Sequence, residues 1–208
     1  MSRTIARLTL DHLAELDAPC RTCLFWERDP VRRARVTDPA GEKDAWLSHV
    51  LREWGSCGRV VLVDDVPVGY VIYAPEAFVP GAASFPTAPV SPDAVLMTAA
   101  YVAPAHRGGG LGRMLVQGMA RDLVGREIRA VEAFGDTRGS RTCVLPVEFL
   151  GSVGFKTQRA HGTTPRMRMD LRTTVTWRSE VGAAWERLRG AVVRPSRAPE
   201  ATPRGRLR

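Results

Sequence analysis

Residues 95–115, VLMTAAYVAPAHRGGGLGRML, constrain this chain more than any other segment. An apolar, β-favouring run enters a turn with four glycines in five residues, Gly108, Gly109, Gly110 and Gly112. That turn becomes the start of a helix, because Leu111, Met114, Leu115, Met119 and Leu123 recur on one face. A helix start presents N–H groups with no intrahelical acceptor, together with the positive end of the macrodipole. Glycines let the backbone come close to a bound group and take up positive φ. Strand, glycine turn and helix together suit a phosphate or a pyrophosphate.

Two common nucleotide motifs do not fit. A P-loop needs Gly-Lys-Ser/Thr at its end, and no lysine lies here. A dinucleotide fingerprint needs Gly-x-Gly-x-x-Gly directly after a strand. Here Arg113 or Leu115 stands where the third glycine belongs, and four residues separate Val102 from Arg107.

The rest of the chain reads as alternating elements. Residues 4–10 predict a first strand, and Asp11 caps a short helix to Leu16. Residues 18–40 show no period. Ala45, Trp46, Val50, Leu51 and Trp54 fall at helical spacing, and Gly55 ends that helix. Residues 59–63 and 67–74 read as a hairpin around Asp64 and Asp65, followed by a Pro-rich loop over 75–93. After strand 94–102 and the glycine-turn helix come a strand at 129–134, a helix at 145–153 closed by Gly154, and strands at 155–158 and 167–171. This order predicts one α/β (α+β) domain over residues 1–171. An amphipathic helix is appended at 172–193, and 194–208 has the composition of a basic, disordered tail. The helix stripe could pack on its own domain or bury itself in a homodimer.

Val102-x-Pro104-x-x-Arg107-x-x-Gly110-x-Gly112 resembles the acyl-CoA signature of the GNAT superfamily of N-acetyltransferases. Residues 149–155, Phe-Leu-Gly-Ser-Val-Gly-Phe, resemble that family's fourth helix and the Gly-Phe that closes it. The resemblance covers roughly residues 3–171. It implies a mixed central sheet splayed between the fourth and fifth strands, 94–102 and 129–134. Acetyl-CoA would enter that split, its pantetheine arm near Tyr101 and Val102. Its pyrophosphate would lie on the turn of Arg107, Gly108, Gly109, Gly110, Leu111, Gly112 and Arg113. The implied reaction is direct attack by a primary amine on the thioester, with a base, an oxyanion-stabilising N–H on the fourth strand and an acid for the thiolate.

The chain departs from the family at the acid. The family's tyrosine four residues before the Gly-Phe glycine is Leu150 here, and the position often held by asparagine is Cys143. Tyr101 and Tyr73 are the nearest replacements by sequence. The fourth strand carries no acidic residue, so Glu132 on the next strand is the first choice of general base, with Glu76, Asp136 and Glu148 as alternatives.

Cys20-x-x-Cys23 has the spacing of half a zinc site, but Cys57 and Cys143 offer no second close pair, so no metal is expected. The four histidines form no ligand motif, and His106 adjoins the phosphate turn. Phe25 and Trp26 either fill the core or line an acceptor pocket.

The formal charge is +8, which would suit a nucleic-acid partner if it were spread over the chain. It is not: nine arginines and three glutamates after Leu171 carry +6 of it. Nucleic acid is therefore not the expected partner of the folded body, although the tail alone could bind one. The first sixteen residues lack an apolar leader, and the most apolar run, 60–80, is broken by Asp64, Asp65 and Glu76. A cytoplasmic protein with no membrane partner is expected, acting on an amine whose identity lies in the variable parts of the fold.

Overall fold

The computed structural model describes residues 2–16, 18–139 and 143–171. The expected appended helix and basic tail lie outside the described residues. The elements run β1 (Arg3–Arg7), α1 (Leu10–Glu15), α2 (Pro30–Arg33), α3 (Pro39–Trp54), β2 (Gly58–Val63), β3 (Val66–Ala74) and β4 (Ala94–Val102). They continue through α4 (Leu111–Gly125), β5 (Ala130–Asp136), β6 (Leu145–Pro146), α5 (Val147–Ser152), β7 (Lys156–Arg159) and β8 (Arg166–Asp170).

One mixed, mostly antiparallel sheet has the order β1-β2-β3-β4-β5-β8-β7, with β6 added beside β5. Asp64 and Asp65 make the β2–β3 turn with φ of 48° and 65°, the left-handed pair that a tight two-residue hairpin requires. Between β3 and β4 the register slips: Ile72 faces Ala99 but Tyr73 faces Met97, so Thr98 is the extra residue of a bulge in β4. Leu96 and Ala99 therefore share one face of the sheet, Met97 and Ala100 the other.

Each face buries its own apolar cluster. On one side α1, α3 and the Pro-rich loop cover Leu8, Leu47, Val50, Tyr70, Ile72, Leu96 and Phe134. On the other, α4 and α5 cover Val61, Val71, Tyr73, Met97, Val131 and Leu150. The apolar stripe read along α4 is this second face, with Leu115, Met119 and Leu123 buried.

Several boundaries move, each for a local reason. Thr9, not Asp11, caps α1, its hydroxyl accepting the His12 N–H. The expected irregular region holds α2, capped by Asp29 with Pro30 at its first position, and α3 begins at Pro39 behind Asp38. Leu145 and Pro146, expected as the first turn of a helix, instead pair in parallel with Gly135 and Asp136 of β5. Pro146 is extended at ψ 138° and α5 starts only after it.

Candidate active site

The strands β4 and β5 pair in parallel over only three positions, Ala94 with Ala130, Val95 with Val131 and Leu96 with Glu132. Beyond Leu96 they part. β4 runs on to Val102 along β3, while β5 runs on to Asp136 and takes β6 as its new neighbour. The gap is thus a split in the sheet, open at the carboxyl ends of two parallel strands, where ligands of α/β sheets commonly bind.

A cleft of about 470 Å³ occupies the open end. Ala100, Tyr101 and Val102 line it from β4, His106, Arg107, Gly108, Gly110, Leu111 and Gly112 from the turn and helix start, and Leu145, Pro146 and Phe149 from the other side. Gly108 and Gly110 stand at φ of 78° and 79°, where an L side chain would be strained. At Gly112 a Cβ would come 3.1 Å from the Phe149 ring. The first i→i−4 bond of α4 runs from Met114 N–H to Gly110 O, so the amides of Leu111, Gly112 and Arg113 precede the helical ladder. Two side chains fix the turn from outside: Arg107 Nε donates to Val102 O at 2.9 Å, and Arg3 donates to Gly109 O at 3.0 Å. This arrangement can hold an elongated anion: phosphate at the amides, an apolar arm along the cleft.

The expected site residues separate into two groups. Tyr101, Val102, Arg107, Gly108, Gly110, Leu111 and Gly112 all line the cleft, and Gly109 lies within the same turn. Arg113 is on α4, and its guanidinium donates to Ser152 O at 2.9 Å, tying α4 to α5. Glu132, the expected base, is placed differently. It sits at the last paired position, fully buried, with Ser91 N–H donating to Oε2, Arg168 donating to Oε1 at 3.2 Å and Arg166 Nε 3.2 Å from Oε2. Two hydrogen-bond donors and a paired guanidinium surround a carboxylate that has no accessible surface, so in this arrangement it anchors the closed end instead of meeting an amine. Arg168 also bridges Asp93 and Asp170, whose hydrogen bonds push its own pKa up.

The alternatives sort similarly. Glu76 accepts Val90 N–H and staples the Pro-rich loop, and Glu148 is exposed on α5. Asp136 lies on the diverged part of β5, opposite Pro146, which lines the cleft; Asp136 itself is buried and accepts Arg138 N–H at 2.9 Å. Tyr73 is excluded as an acid at the cleft. It is fully buried on the α4 side and donates to Asp122 at 2.7 Å, and burial pushes its pKa up. Leu150 is buried among apolar residues. Tyr101 rests against the Tyr70 ring with centroids 5.7 Å apart.

Trp26 belongs to the core: it stacks on Phe85, and its Nε1 donates to Cys143 O at 2.9 Å. Phe25 lines a second cavity of about 330 Å³ with Cys23, Arg33, Val36 and Cys143. Sequence reasoning missed Arg3, Leu145 and Pro146. Arg3 reaches the turn across 106 residues of chain, and the other two become a wall only because β5 and β6 pair. Among the described residues no cluster of three or more His, Cys, Asp or Glu could hold a metal ion, and no helix is long and apolar enough to cross a membrane.

Comparison with known proteins places this geometry. The family model described as "Acetyltransferase (GNAT) family" matches residues 11–142, more than half of the chain. Similar solved folds include the PaiA N-acetyltransferase of Thermoplasma acidophilum in complex with coenzyme A (13% identity, 82% of this chain and 99% of that one, TM-score 0.55). Ard1 of Thermoplasma volcanium is similar at 13% identity, over 82% of this chain and 98% of that one, with TM-score 0.53. The putative acetyltransferase YncA of Salmonella typhimurium with acetyl-CoA is similar at 16% identity, over 81% and 94%, with TM-score 0.53. At these identities the likeness is one of fold. A comparison with curated protein sequences finds no match.

Proposed function

Since the chain belongs to the GNAT family of acetyltransferases, we propose that it moves the acetyl group of acetyl-CoA to a primary amine by direct attack on the thioester. The observation that carries this reading is the glycine turn at the mouth of the β4–β5 split. The amides of the turn and of α4's first residues receive the pyrophosphate. The pantetheine arm lies along Tyr101 and Val102, and the thioester points toward the apex of the split.

In the reaction, the amine nitrogen attacks the thioester carbonyl. A β4 N–H in the split stabilises the oxyanion. Asp136, itself buried, accepts the proton from the attacking amine through water; we prefer it to Glu132 because its register partner lines the cleft and its strand has already diverged from β4. Collapse of the tetrahedral species breaks the C–S bond, and Tyr101 protonates the thiolate. With Leu150 in place of the family's usual acid, Tyr101 is the tyrosine in the cleft lining.

The test is CoA release from acetyl-CoA over a panel of small amines, lysine side chains and peptide N-termini. Amine-dependent release that Asp136→Asn lowers by about a hundredfold supports both transfer and base. An unchanged rate in that variant returns the role to water or another group.

A second reading, acyl-CoA binding without turnover, is favoured by the buried Leu150 at the acid position. It predicts tight acetyl-CoA binding with no transfer to any amine of the panel.

A further inference from the structure

The Cys20-x-x-Cys23 spacing drew attention to a local pair, yet the closest partner of Cys23 is elsewhere. Its Sγ stands 3.0 Å from Sγ of Cys143, 120 residues along the chain. Both cysteines line the Phe25 cavity, from two distant parts of the chain: Cys23 from the segment after α1, Cys143 from the lead into β6. The Trp26–Cys143 hydrogen bond holds the same two segments together three residues away. Both cysteines are half-buried and line the cavity, so a small solute can reach them.

The other two thiols are differently placed. Cys57 has no accessible surface, and burial pushes its pKa up to about 12. Cys20 packs against the cluster that holds Tyr70, and burial raises its pKa as well. Cys20 feels the Tyr70 hydroxyl and the Cys23 thiol nearby.

We infer that Cys23 and Cys143 are a redox-sensitive pair that a hydroperoxide closes to a disulfide, joining the two segments that line the cavity. The hydrogen bond to Cys143, with burial, raises the pKa of Cys23, and the first attack is assigned to the Cys143 sulfur. Arg33 lines the same cavity, its guanidinium 5.2 Å over the Phe25 ring. The Cys143 thiolate attacks one peroxide oxygen, the O–O bond breaks, and hydroxide leaves to give a sulfenic acid. The Cys23 sulfur then displaces that oxygen, forming the S–S bond and releasing water. The two thiols together lose two electrons and two protons, and hydrogen peroxide becomes two waters. The sulfurs need to close only about 1 Å to reach the ~2.05 Å bond length. This inference does not depend on the acyl-transfer reading.

The test uses the full reduced chain, exposed to stoichiometric hydrogen peroxide, alkylated, and digested with trypsin without reductant. Cleavage after Arg21, Arg28, Arg141 and Lys156 separates Cys20 from Cys23 and releases peptides 22–28 and 142–156. The expected products are those two peptides as one cross-linked mass, lost on treatment with phosphine, and a fall from four titratable thiols to two in denaturant. The oxidised chain should also melt several degrees higher than the reduced one, because the bond closes a long loop. Cys143→Ser should abolish both the cross-link and the rise. A Cys20–Cys23 link as the main product, or four free thiols after oxidation, would overturn the assignment.

Discussion

The strands β4 and β5 begin as a closed ladder and end as an open cleft, within nine and seven residues. At the closed end, Leu96 and Glu132 are in register, and Glu132, Arg166, Arg168 and Asp93 form a continuous charge network behind them. At the open end, Tyr101 and Val102 face a space bounded by glycines and apolar side chains. The difference shows how one sheet can be rigid and receptive at once. Ion pairs at the apex fix where the strands part, and the bulge at Thr98 and the pairing of β6 keep them apart.

The sharpest way to break this comparison is Glu132→Gln. If the apex is an anchor, the change leaves two nearly buried guanidinium groups without their shared anion. Removing one partner of such a cluster costs about 3–5 kcal/mol, read as a drop in the denaturation midpoint, while the rate per folded molecule is retained. A variant of wild-type stability with a collapsed kcat would make Glu132 the base after all and erase the distinction between the two ends.

Gly110→Val attacks the open end instead. The valine meets a φ of 79°, and its branches stand where the phosphate must approach. CoA affinity should fall about a hundredfold or more, roughly 2.7 kcal/mol, by calorimetry. Gly55→Ala is the control: Gly55 is equally left-handed, at φ 81°, but ends α3 away from the cleft. It should lower stability by about 1 kcal/mol and leave CoA affinity unchanged. Equal CoA affinity in Gly110→Val and wild type would show that the turn is structural.

The two tyrosines give a finer contrast. Tyr101→Phe should lower kcat on the order of tenfold, at the weak end of general acid catalysis because a thiolate leaves readily, with KM for acetyl-CoA nearly constant. Tyr73→Phe should leave kcat alone and cost about 1–2 kcal/mol of stability through the lost bond to Asp122. Exchange of the two outcomes would put the acid on the wrong face of the sheet.

How much of this was legible in the sequence follows from range. The glycine turn, α4, β4 and the Asp64–Asp65 hairpin are written within a few residues each, by period and by backbone demand, and they appear where expected. The family signature is contiguous in sequence, and most of its residues line one cleft. Glu132 looked like a base because a strand acid next to an empty strand says nothing of β8, whose Arg166 and Arg168 arrive from 34 and 36 residues on. Cys23 looked like half of a local motif for the same reason: Cys143 reaches it only through tertiary packing. Leu145 and Pro146 matched a helical period that a two-residue β pairing overrode. Local chemistry was readable, and the partners that decide a charged residue's role were not.

The smallest effect tests the outer rim of the apex. Hydrogen bonds from Arg168 hold the Asp93 carboxyl below its ordinary value of 3.8. A carboxyl with a lowered pKa in the folded chain stabilises it fully above the unfolded value and loses that contribution as pH falls through the lower folded value. Asp93 is partly solvated, so the pair is screened and worth on the order of 0.5 kcal/mol. Asp93→Asn should therefore be slightly less stable than wild type at pH 7, and the gap should narrow as pH drops below about 3.8. Urea midpoints measured from pH 7 down to the start of acid unfolding read this directly. A gap that stays constant across that range would mean that Arg168 does not depend on the Asp93 charge. The rigidity of the closed end would then rest on Glu132 and Asp170 alone.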